Sequence, residues 1–296
     1  RIIRVIGNDG NAATTADDSA YLIGTDLLGN PLSDGTSFDV PAGVTVMIDE
    51  SALFKFRAAN IDVGSSSPLV SREGASLQVL GTPVRNVDNG TSTASPVRFT
   101  SYHDDSLGGD SDGVGPSVVG GQWGGCVLRS DSDSVTPGVF LNTINQSELS
   151  FGGGNVFVDS QLQAFSPIHV EATRPTIAFN TVTNSAGAAI SADPNSFLDD
   201  GDRLGPDIRG NRLIDNSING LFVRIRTEFG SPIDTLDVSA RFKSNDIVYV
   251  IQENLILNGG AGGYVQDPDS GAIMARETGR LVIDPGCRSQ DAVIAN

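Results

Sequence analysis

The sequence predicts an all-β solenoid, a coil of short strands stacked along one axis. Three observations carry that prediction. Gly is abundant at 35 residues, Lys and Arg together number only 19, and Val, Ile, Thr, Ser, Asn and Asp fill much of the rest. That mix favours strands and turns over helices. Short runs with period-2 alternation recur between Gly, Pro or Ser turns, which places one face of each run in a core and the other in water. Finally, PTIAFNTVTNSAGAAISA and GPDIRGNRLIDNSINGLFVRI are two versions of one unit: Asn, an apolar strand, a second Asn near Ser, a small residue and another strand. Self-similarity of this kind marks stacked repeats. A solenoid core grows along its axis, so 296 residues form one structural unit without exceeding the usual domain size.

The elements follow in chain order. RIIRVI begins the chain abruptly with no signal peptide before it, as in a mature product or an excised fragment. Residues 1–37 read as an N-terminal cap that shields the first strand edge. From residue 38 the alternation becomes regular. Gly43, Gly74 and Gly81 are natural corners because Gly tolerates a positive φ. Residues 103–121 (HDDSLGGDSDGVGPSVVGG) interrupt the coils as an acidic, Gly-rich loop, after which Trp123 reopens a strand. The runs at 140–151, 155–159 and 167–170 read as continuing coils. Asn142-Thr143-Ile144-Asn145-Gln146-Ser147 is a third relative of the Asn unit, and the segment from Asn254 is a weaker fourth. Asn side chains at equivalent corners can bond to one another along the axis and satisfy turn backbone groups. Residues 236–242 and 247–251 read as a hairpin or as one coil with an insertion. The coil region closes at residue 286, and 287–296 form an unpatterned tail.

The succession VPAGVTVMID, LFKFRAANIDVGS, GASLQVLGTP, VRFTSYHDD, QWGG and GPDIRGNRLIDNSINGLFVRI resembles right-handed parallel β-helix domains of large secreted or surface-attached bacterial proteins. The planctomycete type is the nearest in pattern. The resemblance spans about residues 38–283. It implies a single right-handed parallel β-helix with projecting loops and an extracellular or cell-surface setting. It implies no established activity. It also implies a further strand after residue 286, where the chain reads CRSQDAVIAN instead.

Composition excludes several functions. At a net charge of −17 the chain lacks the basic patch that nucleic acid requires. No apolar run is long enough for a membrane-spanning helix. The spacing of Cys126 and Cys287 fits no metal motif, and whether the two pair is open. There is no nucleophile elbow, zinc motif or phosphate-binding Gly loop.

The acidic loops remain as chemical candidates. Asp104, Asp105, Asp110 and Asp112 sit among glycines, and Ca²⁺ takes six to eight oxygens from turns of this kind. The competing reading is a solvated acidic loop without a cofactor. Asp199, Asp200 and Asp202 could supply the paired carboxylates that glycoside hydrolysis needs. Pectin-cleaving β-helix hydrolases order an Asn-Thr-Asp element, an Asp-Asp pair, a Gly-His-Gly element and Arg-Ile-Lys. Asn180-Thr181-Val182, Asp199-Asp200 and Arg224-Ile225-Arg226 resemble three of these, but the first lacks its carboxylate and Gly-His-Gly is absent. A lyase would instead use Arg224 as base beside bound Ca²⁺, with Arg226 on the same strand face. Trp123 reads as a core aromatic or as a sugar-stacking platform. His169, within an apolar run, reads as a hydrogen-bonded structural residue or as a binding group.

Two functional expectations result. One is an extracellular structural or binding module that meets polysaccharide or neighbouring surface components. The other is a carbohydrate-active enzyme, hydrolase or lyase, with its groove beside the loops.

Overall fold

The computed structural model describes residues 1–7, 20–26, 28–32, 37–67, 69–83, 85–87, 90–92, 95–133, 135–136, 138–158, 161–199, 205–225, 234–244, 246–259, 270 and 279–284. Its architecture is nearly all β, with three long parallel sheets. Two 3-10 turns, Ser130–Asp133 and Pro194–Phe197, are its only helical segments among the described residues.

Each of the first six passes of the chain gives one strand to each sheet in turn. Sheet one orders Ile2–Val5, Thr45–Asp49, Ser76–Leu80, Thr143–Asn145, Thr176–Ala178 and Asp207–Arg209. Sheet two orders Tyr21–Ile23, Leu53–Phe56, Val97–Ser101, Ser147–Ser150, Thr181–Thr183 and Arg212–Ile214. Sheet three orders Ser37–Val40, Asn60–Val63, Gly125–Leu128, Ile168–Val170, Ala188–Ala192, Ile218–Val223 and Tyr249–Val250. The pattern is consistent with a solenoid. The strands of residues 2–40 pair in parallel with those of the next pass, so they extend the same three sheets. The predicted tail at 287–296 lies outside the described residues.

In-register pairing sorts the inward residues into columns. Ile48, Val79, Ile144, Ile177 and Ile208 stack along sheet one. Val40, Val63, Leu128, Val170, Ala192 and Val223 stack along sheet three. All of these side chains are buried, and each larger aliphatic among them contributes about 1.5–3 kcal/mol by leaving water. Sheet two begins with an aromatic column. Tyr21 stacks on Phe54 at 5.1 Å, Phe54 on Phe99 at 5.5 Å, and Trp123 on Phe56 at 4.7 Å.

The corners repeat as closely as the strands. Gln146, Phe179 and Gly210 follow one another at one corner with φ of 52°, 57° and 62°. Phe151, Asn184 and Asp215 follow one another at the next, at 62°, 56° and 54°. A non-Gly residue seldom adopts this left-handed conformation, and here neighbouring coils hold it in place. At Gly210 a Cβ would lie 2.5 Å from the Phe179 ring of the preceding coil, so a larger residue there would have to displace that ring.

Asn side chains bind coil to coil. Asn180 Oδ1 accepts from the N–H of Ser147, and its Nδ2 donates to Ile144 O. Asn211 repeats the arrangement one coil on, accepting from Asn180 N–H and donating to Ile177 O. At the following corner Asn216 accepts from Ser185 N–H and donates to Val182 O. Each such bond adds about 1 kcal/mol net, and more would be lost if a buried partner were orphaned.

Asn142 does not join this ladder. It precedes a sheet-one strand, accepts from Leu77 N–H and donates to Ser132 Oγ. In register, Ser147 occupies the place of Asn180. The apparent third repeat is therefore one strand out of phase.

Two further segments differ from the sequence pattern. Asn155–Val158 and Gln161–Ala164 pair antiparallel as a projecting hairpin, where the pattern predicts a coil. Alternation alone cannot separate these outcomes, because both bury one side of a strand. Ser239–Phe242 pairs in parallel with Arg280–Ile283, and Tyr249–Val250 joins sheet three, so residues 236–251 do not fold back as a hairpin.

Candidate functional site

Polar chemistry concentrates in two places. The first is the acidic loop between the sheet-two strand Val97–Ser101 and the sheet-three strand Gly125–Leu128. Asp105, Asp110 and Asp112 each bring a carboxylate oxygen within 4.8 Å of the others. Asp104 is diverted elsewhere: Thr100 Oγ1 donates to it at 2.6 Å, and the N–H and hydroxyl of Ser106 donate to its other oxygen. Asp110 accepts from the N–H groups of Asp112 and Gly113, fixing the turn.

This loop carries its own cation. Lys55, fully buried on the neighbouring sheet-two strand, donates from Nζ to Gly109 O at 2.6 Å and to Ser111 Oγ at 2.9 Å. Burial draws the Lys55 pKa down, while Asp104, Asp105, Asp110 and Asp112 pull it up. Desolvation and then the charges of Asp110 and Asp112 raise the pKa of Asp105. His103 Nδ1 meets Asp112, and that hydrogen bond is the main cause of the lowered Asp112 pKa. Three of the four predicted ligands thus converge, and a lysine reaches the same loop.

The second place is the outer face of sheet three. Register aligns Asp39, Asp62, Val127, His169, Ser191 and Phe222 across it. Two residues further along each strand, Arg129, Glu171, Asp193 and Arg224 form the next row. Their N–H groups continue the ladder.

The projecting hairpin packs against this face. Val156 and Phe165 bury against Val127, and the Phe165 ring lies 4.9 Å from that of His169. The hairpin returns to the coil over Gly125 of the preceding pass, whose φ of 120° and 2.2 Å Cβ approach to Ser166 O admit only glycine.

His169 is fully buried. Its Nδ1 is 2.8 Å from Ser191 Oγ, and its Nε2 is 3.6 Å from Asp193 Oδ1. One ligand atom each from His169, Glu171 and Asp193 lies within 4.8 Å of the other two. Arg224 stands over Phe165, its guanidinium carbon 4.7 Å from the ring centroid. Higher on the same face, Arg129 and Arg72 both donate to Asp62. Burial pushes the Asp62 pKa up to about 6, against the opposing pull of Arg129 and Arg72.

The other sequence-predicted residues scatter. Asp199 lies beyond the 3-10 turn Pro194–Phe197, with Oδ2 3.5 Å from Arg241 Nη1, and Arg241 also pairs with Asp284. Asp207 pairs with Arg209 on the outside of sheet one. Trp123 is buried, with Nε1 donating to Ser150 O at 2.7 Å, so its ring faces serve the core and offer no platform to a sugar. Cys126 is a buried free thiol whose pKa burial pushes up to about 12. Asp200, Asp202, Arg226 and Cys287 lie outside the described residues.

Sequence reasoning missed Glu171 as a partner of His169. The available signal was the i, i+2 spacing of His169 and Glu171, which puts both on one strand face. The register that adds Asp193 is not visible in the sequence. No described helix is long and apolar enough to cross a membrane. Models of known families, curated proteins and solved structures yield no match to this chain.

Proposed function

We propose that this chain is an extracellular structural and binding module of a bacterial surface protein, built as a single right-handed parallel β-helix. Parallel strands joined by crossovers within one sheet are overwhelmingly right-handed, which supports the handedness. The sequence resemblance to planctomycete-type surface proteins supports the setting. In this reading the module presents elongated sheet faces and acidic loops to polysaccharide or to neighbouring surface components.

One observation supports binding over catalysis: the two described candidate catalytic groups are engaged with different partners. Asp199 faces Arg241, whereas Arg224 lies over Phe165 on the outer face of sheet three. Glycosidic cleavage requires two carboxylates on opposite sides of one bond, about 5–9.5 Å apart.

The test is a panel of neutral and acidic polysaccharides, assayed for retention and for chain cleavage, with and without chelator. The expected result is retention of at least one glycan without release of reducing or unsaturated ends. Cleavage by the wild-type chain that disappears in Asp199→Ala/Asp200→Ala would establish the enzyme reading instead.

A further inference from the structure

We infer that His169, Glu171 and Asp193 form a binding site for one divalent first-row transition-metal ion, with Zn²⁺ as its simplest occupant. This inference is independent of the polysaccharide reading.

The donor set is built by the fold. His169 and Glu171 leave one strand in the same direction, and Asp193 comes from the adjacent strand one row-step away. Two atoms bound to one ion at about 2.1 Å stand roughly 3.0 Å apart at an octahedral angle and 3.4 Å apart at a tetrahedral one. His169 Nε2 and Asp193 Oδ1 are 3.6 Å apart, too long for a good hydrogen bond and close to the spacing of two ligands on one ion. The Glu171 carboxylate completes a set whose members all lie within 4.8 Å.

The imidazole is already held in place. With its Nδ1 proton donated to Ser191 Oγ at 2.8 Å, the Nε2 lone pair points toward the carboxylates. A hydrogen bond at the other ring nitrogen is the usual way a ligating histidine is oriented. Phe165, packed on the ring, restricts it further.

Two carboxylates stand close together beside a buried ring, in a row bordered by Arg129 and Arg224. Arg129 donates to Asp62 at 2.6 Å, and Arg224 lies over Phe165. The nitrogen ligand selects the metal class, because Ca²⁺ and Mg²⁺ prefer an all-oxygen shell whereas imidazole with carboxylates suits Zn²⁺ and its neighbours. Glu171 and Asp193 are only partly buried, which leaves coordination positions open toward solvent.

The experiment uses the full chain, stripped with chelator and titrated with Zn²⁺ by calorimetry, with the thermal midpoint followed in parallel. The expected result is saturable micromolar binding that raises the midpoint. Glu171→Gln and Asp193→Asn should each weaken binding about 10- to 100-fold. Both replacements keep side-chain volume, so the metal-free melting of each variant shows whether it still folds. Asp110→Asn in the acidic loop should leave Zn²⁺ binding unchanged. The inference is overturned if the wild-type chain shows no saturable Zn²⁺ binding. It is equally overturned if folded Glu171→Gln and Asp193→Asn bind as the wild type does, or if Asp110→Asn is the variant that loses binding.

Discussion

The acidic loop at 104–112 and the outer row of sheet three solve the same electrostatic problem in opposite ways. The loop gathers four aspartates within nine residues and meets them with a lysine from the adjacent strand. The row gathers two carboxylates and an imidazole from strands more than twenty residues apart, while its bordering arginines reach Asp62 and Phe165. By charge count the loop would be the cation site. By geometry it holds an internal cation, whereas the sparser row sets its carboxylates beside an imidazole. The number of acids near a point says little about binding until the cations the fold already delivers there are included.

The largest expected effect breaks the loop. Lys55→Met keeps the buried aliphatic stem and removes the ammonium, leaving Asp105, Asp110 and Asp112 without their internal counter-charge. Lys55 donates two hydrogen bonds from a fully buried stem, and hydrogen bonds from a charged donor contribute about 1.5–3 kcal/mol. Denaturant unfolding should show a loss of that order. Millimolar Ca²⁺ should restore more stability to Lys55→Met than to the wild-type chain. A loss below about 1 kcal/mol, or equal Ca²⁺ responses, would mean that Lys55 does not balance the loop.

Lys55 also marks the limit of what the sequence shows. The strands, the glycine corners and the Asn180, Asn211 and Asn216 positions are legible because they are local: alternation, turn chemistry and a repeated unit suffice. Trp123 was legible as a core aromatic from its place between glycine pairs. Lys55 was not, since it lies 54 residues before the carbonyl it caps. Glu171 drew no notice because its partner Asp193 is set by parallel register across two strands. Asn142 misled for the related reason that a motif repeats in sequence without repeating in phase. The hairpin over His169 looked like another coil, since period-2 alternation is common to both. Contacts made between coils are what the linear pattern omits.

The next effect sharpens the comparison on the sheet-three face. Asp62, pushed up to about 6 by burial, holds a proton more readily in the folded chain than in the unfolded one. Below about pH 4 both forms of the chain are protonated there, and the group costs nothing. As pH rises toward 6 the unfolded chain releases that proton first, so stability falls. The fall is on the order of 2 kcal/mol between pH 4 and 7. Asp26, Asp112 and Asp237 have lowered pKa values, so their losses occur below this window, as pH drops. Unfolding free energies of the wild type and Asp62→Asn across pH 4–7 should therefore differ in slope, the variant being flatter. Parallel slopes would place the titration elsewhere.

The smallest expected effect tests whether the loop's charge is structural at all. Asp110 is exposed, and its oxygen accepts from the N–H groups of Asp112 and Gly113. Asn can accept the same bonds, so the turn survives Asp110→Asn. The substitution also removes the foremost charge raising the Asp105 pKa, easing repulsion that one lysine only partly offsets. Stability should stay within about 0.5 kcal/mol of the wild type, shifted if anything upward. Glu171→Gln in the metal-free chain should be equally mild, since one of two crowded carboxylates is neutralised. If either variant loses more than about 1 kcal/mol without metal, that carboxylate supports the fold itself. The contrast between a loop braced by Lys55 and a row proposed to hold a metal ion would then not hold.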